Sequence, residues 1–300
     1  MSTELLARAD RLRLQRTPFV LATVVRAERP TSAKAGDRAI VMADGTIEGF
    51  VGGVCAESTV RMQGLRLLGN GESTLLRITP TDAEPSPPED SEGYVVVGNP
   101  CLSGGTLDIF LEAVLPATLV HVFGDGPIAR ALVRVAEAAG YAVMASTNPV
   151  ESLAPDTAAV VVASHGRDEE KVLAAALRAG VPYVGLIASP KRGKAVMSEV
   201  DATEELRARV HTPAGLDIGA RTPLEIAVSV VAEVVSVRAR VEAPPTPQPV
   251  VELTAIDPVC GMTVAAVEAS LHHEHDGTTW YFCGSGCQRA FADDPGRYGA

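Results

Sequence analysis

Aromatic residues are scarce in this chain, 4% of 300 positions with a single tryptophan. Any core must therefore be built mainly from aliphatic side chains, and the 46% hydrophobic content is enough for that. Long apolar runs are missing too. No stretch of about 18 apolar residues occurs, and the most apolar segment, near residue 230, is interrupted by Glu225 and Glu233. A membrane partner is not expected. Basic residues number 26 against 37 acidic ones, a net charge of −11. With no basic stripe, that balance opposes phosphate-backbone binding and removes nucleic acid as a partner. Residues 1–16 lack the apolar centre of a secretion signal, and Glu4 and Asp10 do not suit a transit peptide, so the expected location is the cytoplasm. Also absent are a Ser–His–Asp arrangement, an H-E-x-x-H pair and a P-loop. Nothing points to hydrolysis or phosphoryl transfer.

What is present divides the chain into an α/β protein of two ordinary domains and a small module. Residues 1–115 read as a β-rich N-terminal domain. Strand-like runs occupy 18–25, 38–45, Ser73–Ile78, Tyr94–Val97 and Leu107–Leu111, and an acidic, proline-rich loop spans 79–93. Residues 116–240 change period. Apolar runs at 119–123, 141–146, 158–164 and 183–189 alternate with helical stretches at 127–139 and 168–179, the pattern of a Rossmann-like parallel sheet with crossover helices. A last helix is announced by Thr222 as N-cap, Pro223 at its first position and Glu225 completing a capping box. Residues 241–252 hold four prolines and read as a stiff linker. The remaining 253–300 are too few for a large core, so a metal is the expected means of holding them together.

Several residues could carry chemistry. Gly124-Asp125-Gly126-Pro127-Ile128-Ala129 follows a strand and opens a helix, a G-x-G-x-x-A turn whose helix N-terminus can face a phosphate. A nicotinamide dinucleotide would also need an acid at the end of the next strand, where Ser146-Thr147-Asn148 stands and the first acid is Glu151. Cys55 and Cys101 each lie among glycines, which let backbone approach a bulky ligand, and their thiolates are soft enough for molybdenum or a persulfide. An inert buried role is an equal alternative. Glu57 is either an orienting carboxylate or a surface acid. His165 belongs at the ligand-binding end of the third parallel strand, and Asp168-Glu169-Glu170 supply charge to a helix start. Three of the five cysteines, Cys260, Cys283 and Cys287, cluster late in the chain and suit zinc or copper(I) better than a disulfide framework. Strand alternation puts His273 and His275 on one face and His272 on the other, facing solvent.

These segments resemble the XdhC/CoxI family, accessory proteins of xanthine dehydrogenase and aerobic carbon monoxide dehydrogenase. The resemblance rests on Val51-Gly52-Gly53-Val54-Cys55-Ala56-Glu57, on Asn99-Pro100-Cys101-Leu102-Ser103-Gly104-Gly105, on the Gly124–Ala129 turn, on Ser164-His165, and on Gly215 to Pro223. Where many members have G-S-x-P-R, this chain has Glu28-Arg29-Pro30-Thr31-Ser32. Asp257-Pro258-Val259-Cys260-Gly261-Met262 and Tyr281-Phe282-Cys283-x-x-x-Cys287 are similar to a YHS domain, a small metal-associated module. The resemblance implies a non-catalytic maturation factor that binds molybdenum cofactor (molybdopterin or its cytosine dinucleotide) and delivers it to an apo-hydroxylase of the xanthine or CO dehydrogenase type. It makes Gly52, Gly53, Cys55, Glu57, Cys101, Gly124, Gly126 and His165 the candidate cofactor residues. A cysteine desulfurase becomes a candidate partner, and a homodimer the candidate assembly. The rival functions are an NAD(P)-dependent oxidoreductase and a metal sensor or carrier acting through the YHS-like module.

Overall fold

The computed structural model describes residues 2–80, 93–99, 105–149, 153–241 and 254–298. The anticipated loop at 79–93 and linker at 241–252 lie almost wholly outside these residues, as do Cys101 and Glu151. The chain divides into two compact units, one of residues 1–116 with 247–300 and the other of residues 117–246.

The first unit is built on a six-stranded sheet. Its strands are β1 (Phe19–Glu28), β2 (Arg38–Met42), β3 (Ile47–Gly49), β4 (Thr74–Pro80), β5 (Tyr94–Asn99) and β6 (Thr106–Val114), in the order β3-β2-β1-β6-β4-β5. All neighbours are antiparallel except the parallel pair β4 and β5. Alternation along β1 sends Val20, Ala22 and Val24 to the main core and Phe19 to a second cluster with Ala9, Leu12 and Ile40. Helix α1 (Ser2–Leu14) covers that second face, and α2 (Val54–Asn70) covers the main one. The expectation of β-rich structure holds, but α2 is an addition to it. Its buried face contains Ser58, Thr59, Gln63 and Gly64 beside Val60, Met62 and Leu67, so the apolar stripe is diluted. Gly64 is there for contact, since a Cβ at that position would sit 3.1 Å from Val41 Cγ1.

The late module belongs to this same unit. It consists of β12 (Thr254–Ile256) paired with β13 (Thr263–Ala265), β14 (Leu271–His275) paired with β15 (Thr278–Phe282), α8 (Ser285–Asp293) and a 3-10 turn at Pro295–Tyr298. Phe291 is fully buried among His273, His275, Trp280, Phe282 and Tyr298. The two histidines share a face as alternation requires, yet they pack on Phe291 instead of simply facing solvent, while His272 meets Tyr281. The module also touches the first domain. A Cβ on Gly45 would lie 2.7 Å from Val267 Cγ2, and Arg61 of α2 donates to the Gly45 carbonyl at 2.7 Å.

The second unit carries the parallel sheet. Strands β7 (Leu119–Phe123), β8 (Ala142–Ser146), β9 (Thr157–Val162), β10 (Tyr183–Leu186) and β11 (Val210–His211) run in the order β11-β10-β9-β7-β8, every pair parallel. Helices α3 (Pro127–Ala138) and α7 (Pro223–Val241) pack on one face, α4 (Glu169–Arg178) and α5 (Pro190–Glu199) on the other; a short α6 (Glu204–Arg207) precedes β11. The strand order reverses between β7 and β9, the point at which doubly wound sheets bind ligands. The capping box forms as read from the sequence: Glu225 Oε2 accepts from the Arg221 and Thr222 amides at 2.8 Å, and Thr222 Oγ1 accepts from the Glu225 amide at 3.3 Å. Among the described residues, no helix is long and apolar enough to cross a membrane.

Glu233 of α7 ties the helix to β10, β11 and the segment that follows β11. Its carboxylate accepts from Tyr183 Oη and the Gly215 amide at 2.7 Å each and meets His211 Nδ1 at 2.8 Å. Burial raises its pKa, but the hydrogen bonds from Tyr183, Gly215 and His211 outweigh burial and hold it below the ordinary value. A carboxylate lowered in the folded state adds stability above its unfolded pKa of about 4.3, and loses that contribution as pH falls through the folded value. Glu233→Gln should therefore lower the urea midpoint at neutral pH and flatten its decline below about pH 4.3. Urea titrations of both proteins across that range check this.

Candidate metal centre and cofactor cleft

The thiols of the first unit converge because one buried carboxylate arranges the backbone that carries them. Asp257 is 0% exposed. Its Oδ1 accepts from the amides of Val259 at 2.9 Å and Cys260 at 3.4 Å, and its Oδ2 accepts from the Cys283 amide at 2.8 Å. The Asp257 amide in turn donates to the Met262 carbonyl at 2.8 Å, closing the loop around Cys260. Cys260 Sγ lies 3.5 Å from Cys283 Sγ, which lies 3.7 Å from Cys287 Sγ. Ligand atoms of Asp257, Cys260, Cys283 and Cys287 all fall within 4.8 Å of one another. A tetrahedral zinc–thiolate centre with bonds of about 2.3 Å requires sulfurs about 3.8 Å apart. The donor set and spacing thus fit a soft or borderline ion.

The thiols are held protonated in the absence of such an ion. Burial pushes Cys260 up, and it pushes Cys287 up to about 12 with the Asp257 charge adding to it. Cys283 is raised most, first by its hydrogen bond with Cys55 and then by burial and Asp257. A metal must displace these protons to bind. His272, His273 and His275 are not part of this ligand group.

Cys55 occupies the first turn of α2. Gly52, with φ 137°, and Gly53, the N-cap, turn the chain into the helix. Glu57 stands in the same turn, where it supports the charge of Arg61 against the burial that lowers that group's pKa. Around Cys55 are Met262, Val264, Tyr281 and the three late cysteines. Sequence reasoning did not join Cys55 to the late cysteines, which lie more than 200 positions away.

In the second unit, Gly124 has φ 131°, and a Cβ there would strike the Ala163 carbonyl oxygen at 2.3 Å. Only glycine lets β7 turn this close to the end of β9. Gly126 is the N-cap of α3, and a Cβ on it would come within 2.9 Å of His165 Nε2. His165 itself has φ 57°. Gly126 and His165 therefore lie side by side, with Gly124 against the backbone just before His165. The negative charge that Asp125 brings to the turn is paired with Arg167. Glu169 differs from its expected role as a simple helix-start charge. It is 1% exposed, accepts from the Gly166 amide at 2.9 Å, and pairs with Arg192, so it anchors the loop that carries His165. Arg192 and Glu169 gave no local sequence signal because they meet only through the fold.

Beside His165 opens a cleft of about 710 Å³, lined also by Ser189, Arg192 and the segment Pro213–Ala220. Of the expected cofactor residues, Gly52, Gly53, Cys55 and Glu57 lie in the first unit, and Gly124, Gly126 and His165 in the second.

Replacing Asp257 with Ala leaves the buried Cys283 amide and the part-buried Val259 and Cys260 amides without that acceptor. At about 1–3 kcal/mol for each buried donor left unmade, this change should be among the most destabilising in the module, with Asp257→Asn milder. Differential scanning calorimetry of both variants, with hydrogen exchange over 254–298, measures the difference.

The comparisons with known proteins accord with this architecture. Residues 12–79 match the profile of the XdhC and CoxI family, residues 120–234 the XdhC Rossmann domain, and residues 255–300 the YHS domain. The chain is 27% identical over 260 residues to "Uncharacterized protein YqeB" of Escherichia coli (strain K12), covering 77% of this chain and 45% of that protein. It is 28% identical over 161 residues to a probable xanthine dehydrogenase subunit of Bacillus subtilis (strain 168), covering 45% of this chain and 48% of that one. It thus spans less than half the length of these curated relatives. A solved structure described as a xanthine dehydrogenase from Bacillus halodurans aligns with 82% of this chain and 98% of its own, at 17% identity and a TM-score of 0.39. In chain order, the sequence thus matches the XdhC and CoxI family model, the XdhC Rossmann domain model and the YHS domain model.

Proposed function

We propose that this chain is an accessory protein of a molybdenum hydroxylase, and specifically that it binds molybdenum cofactor and delivers it to the apo-enzyme. The observation that carries this is the cleft beside His165, at the ends of β9, β10 and β11, in a chain that matches both XdhC models. The relative named as a probable xanthine dehydrogenase component supports the choice of client.

The residues present suit the phosphate-bearing end of such a group. Gly126 starts α3, and Ser189, which caps α5 by accepting from the Arg192 amide at 3.3 Å, lines the cleft. The N-terminus of α5 thus brings partial positive charge to the cleft, and that of α3 starts beside His165. Arg167 neutralises Asp125, and Gly126 leaves room for the His165 ring that lines the cleft. The volume accommodates a pterin-sized ligand. When bound, the cofactor supplies the molybdenum chemistry needed by the client, and the chain's residues bind, orient and shield it. Molybdopterin and its cytosine dinucleotide share this phosphate chemistry. A cysteine desulfurase is the proposed sulfur donor, the cytoplasm the proposed location, and a homodimer the proposed assembly.

A nicotinamide cofactor is less well served. At the end of β8, Ser146 Oγ accepts from the Asn148 amide at 3.1 Å and donates to its carbonyl at 2.8 Å, where a ribose-binding carboxylate would be needed.

A methyl group at Gly126 would force the His165 ring away from the turn. Gly126→Ala should therefore weaken pterin retention roughly five- to tenfold, the equivalent of about 1 kcal/mol, and leave metal binding by the late cysteines unchanged. Mass spectrometry and fluorescence of the pterin co-purifying with each protein give the comparison. Absence of any pterin from the unaltered protein, with no protection of added cofactor from oxidation, sinks the proposal.

A further inference from the structure

We infer that Cys55, from the glycine-rich turn of the first domain, is the fourth thiolate of the metal centre formed by Cys260, Cys283 and Cys287. The ion then ties the YHS domain to α2. This inference does not depend on cofactor binding by the second unit.

Three observations lead to it. The three late thiols are already spaced at 3.5 and 3.7 Å, close to the edge of a zinc–sulfur tetrahedron, which leaves one vertex to fill. Asp257 is the nearest other donor, but both of its oxygens are engaged by backbone amides, at 2.8 Å to Cys283 and at 2.9 and 3.4 Å to Val259 and Cys260. Turning it toward an ion would orphan the amides that shape the site. Among the described residues, Cys55 carries the one further thiol. It hydrogen-bonds with Cys283 and belongs to the same buried cluster as Met262, Val264, Cys260 and Cys287.

The backbone around the fourth vertex fits a negatively charged centre. Cys55 is in the first turn of α2 and Cys287 in the first turn of α8, and the two helix starts meet. A Cβ on Gly284, the α8 N-cap, would lie 3.8 Å from Cys55 Sγ and 4.0 Å from Val54 Cγ1. Both helices therefore direct their positive ends at the thiolates. Beside the cluster runs an open groove of about 510 Å³ between α2, β5 and residues 260–263, lined by Cys260, Met262, Gln63 and Arg66. It gives an ion a route to Cys260 without opening the module.

On binding, each thiol releases its proton to solvent and no electron is exchanged, so zinc(II) and copper(I) are both admissible ions. With the ion in place, Cys55 is committed to the metal. A thiol in the turn that resembles the cofactor-binding segment would then be available to other chemistry only when the metal is absent.

The test uses the full chain, reduced and stripped of metal, then loaded with one equivalent of zinc(II) or, anaerobically, copper(I). X-ray absorption of the zinc protein should give four sulfur neighbours, and cobalt(II) in its place should give a tetrahedral thiolate spectrum. Cys55→Ser should give three sulfurs and one lighter neighbour, with zinc affinity reduced at least tenfold in a chelator competition. Because a variant can lose its fold, alkylation of the unaltered chain supplies a second measurement: zinc should protect Cys55 together with Cys260, Cys283 and Cys287 in peptide maps. Three sulfurs in the unaltered protein, Cys55 alkylated at the same rate with and without zinc, or no stoichiometric metal uptake would each overturn the assignment.

Discussion

The buried carboxylate of Asp257 is the constraint on which the first unit's chemistry depends. Withdrawn from solvent, it must satisfy its charge internally, and it does so with amides from both segments that bear the late cysteines. That fixes Cys260 and Cys283 at 3.5 Å before any ion arrives. It also sets the polarity of the site, because burial, with the Asp257 charge adding to it, pushes the Cys287 thiol up and favours its protonated form until a cation replaces the proton. The small module has one aromatic core, around Phe291, and one thiol cluster. The cluster faces α2, so the module's second source of cohesion is shared with the first domain.

The second unit solves a different problem with neutral means. Its cleft is lined by Arg192, which is paired with Glu169, and by Asp217, while Asp125 of the neighbouring turn meets Arg167. What remains is the positive character of helix starts and the exposed amides of glycine-bearing loops. Glu233 secures the far wall through Tyr183, His211 and Gly215, so the cleft is shaped by a network buried behind it.

Much of this was legible in the chain because the signals were local. The parallel strands announced themselves as short apolar runs, and the capping box at Thr222 and Glu225 is complete within four residues. The strand–turn–helix at Gly124 and Gly126 was likewise visible locally, and its glycines meet Ala163 and His165 closely. Helix α2 was hidden because its buried face includes Gln63, Ser58 and Thr59, which weaken any helical periodicity. Glu169 looked like an ordinary helix-start acid, and only the fold brings Arg192 to it. The placement of Cys55 beside Cys283 was the least accessible, because contact between residues so distant in sequence leaves no trace in spacing. Gly45 carries the same lesson: beyond ending a strand, it makes room for Val267.

The central claim is that the chain hands molybdenum cofactor to a hydroxylase. Its most direct test is reconstitution: a purified apo-hydroxylase mixed with cofactor-loaded chain, compared with the same quantity of free cofactor under air. The account predicts faster and more complete recovery of hydroxylase activity from the loaded chain, and loss of that advantage when Gly126→Ala protein is used. Equal recovery from free cofactor and from the loaded chain would contradict it.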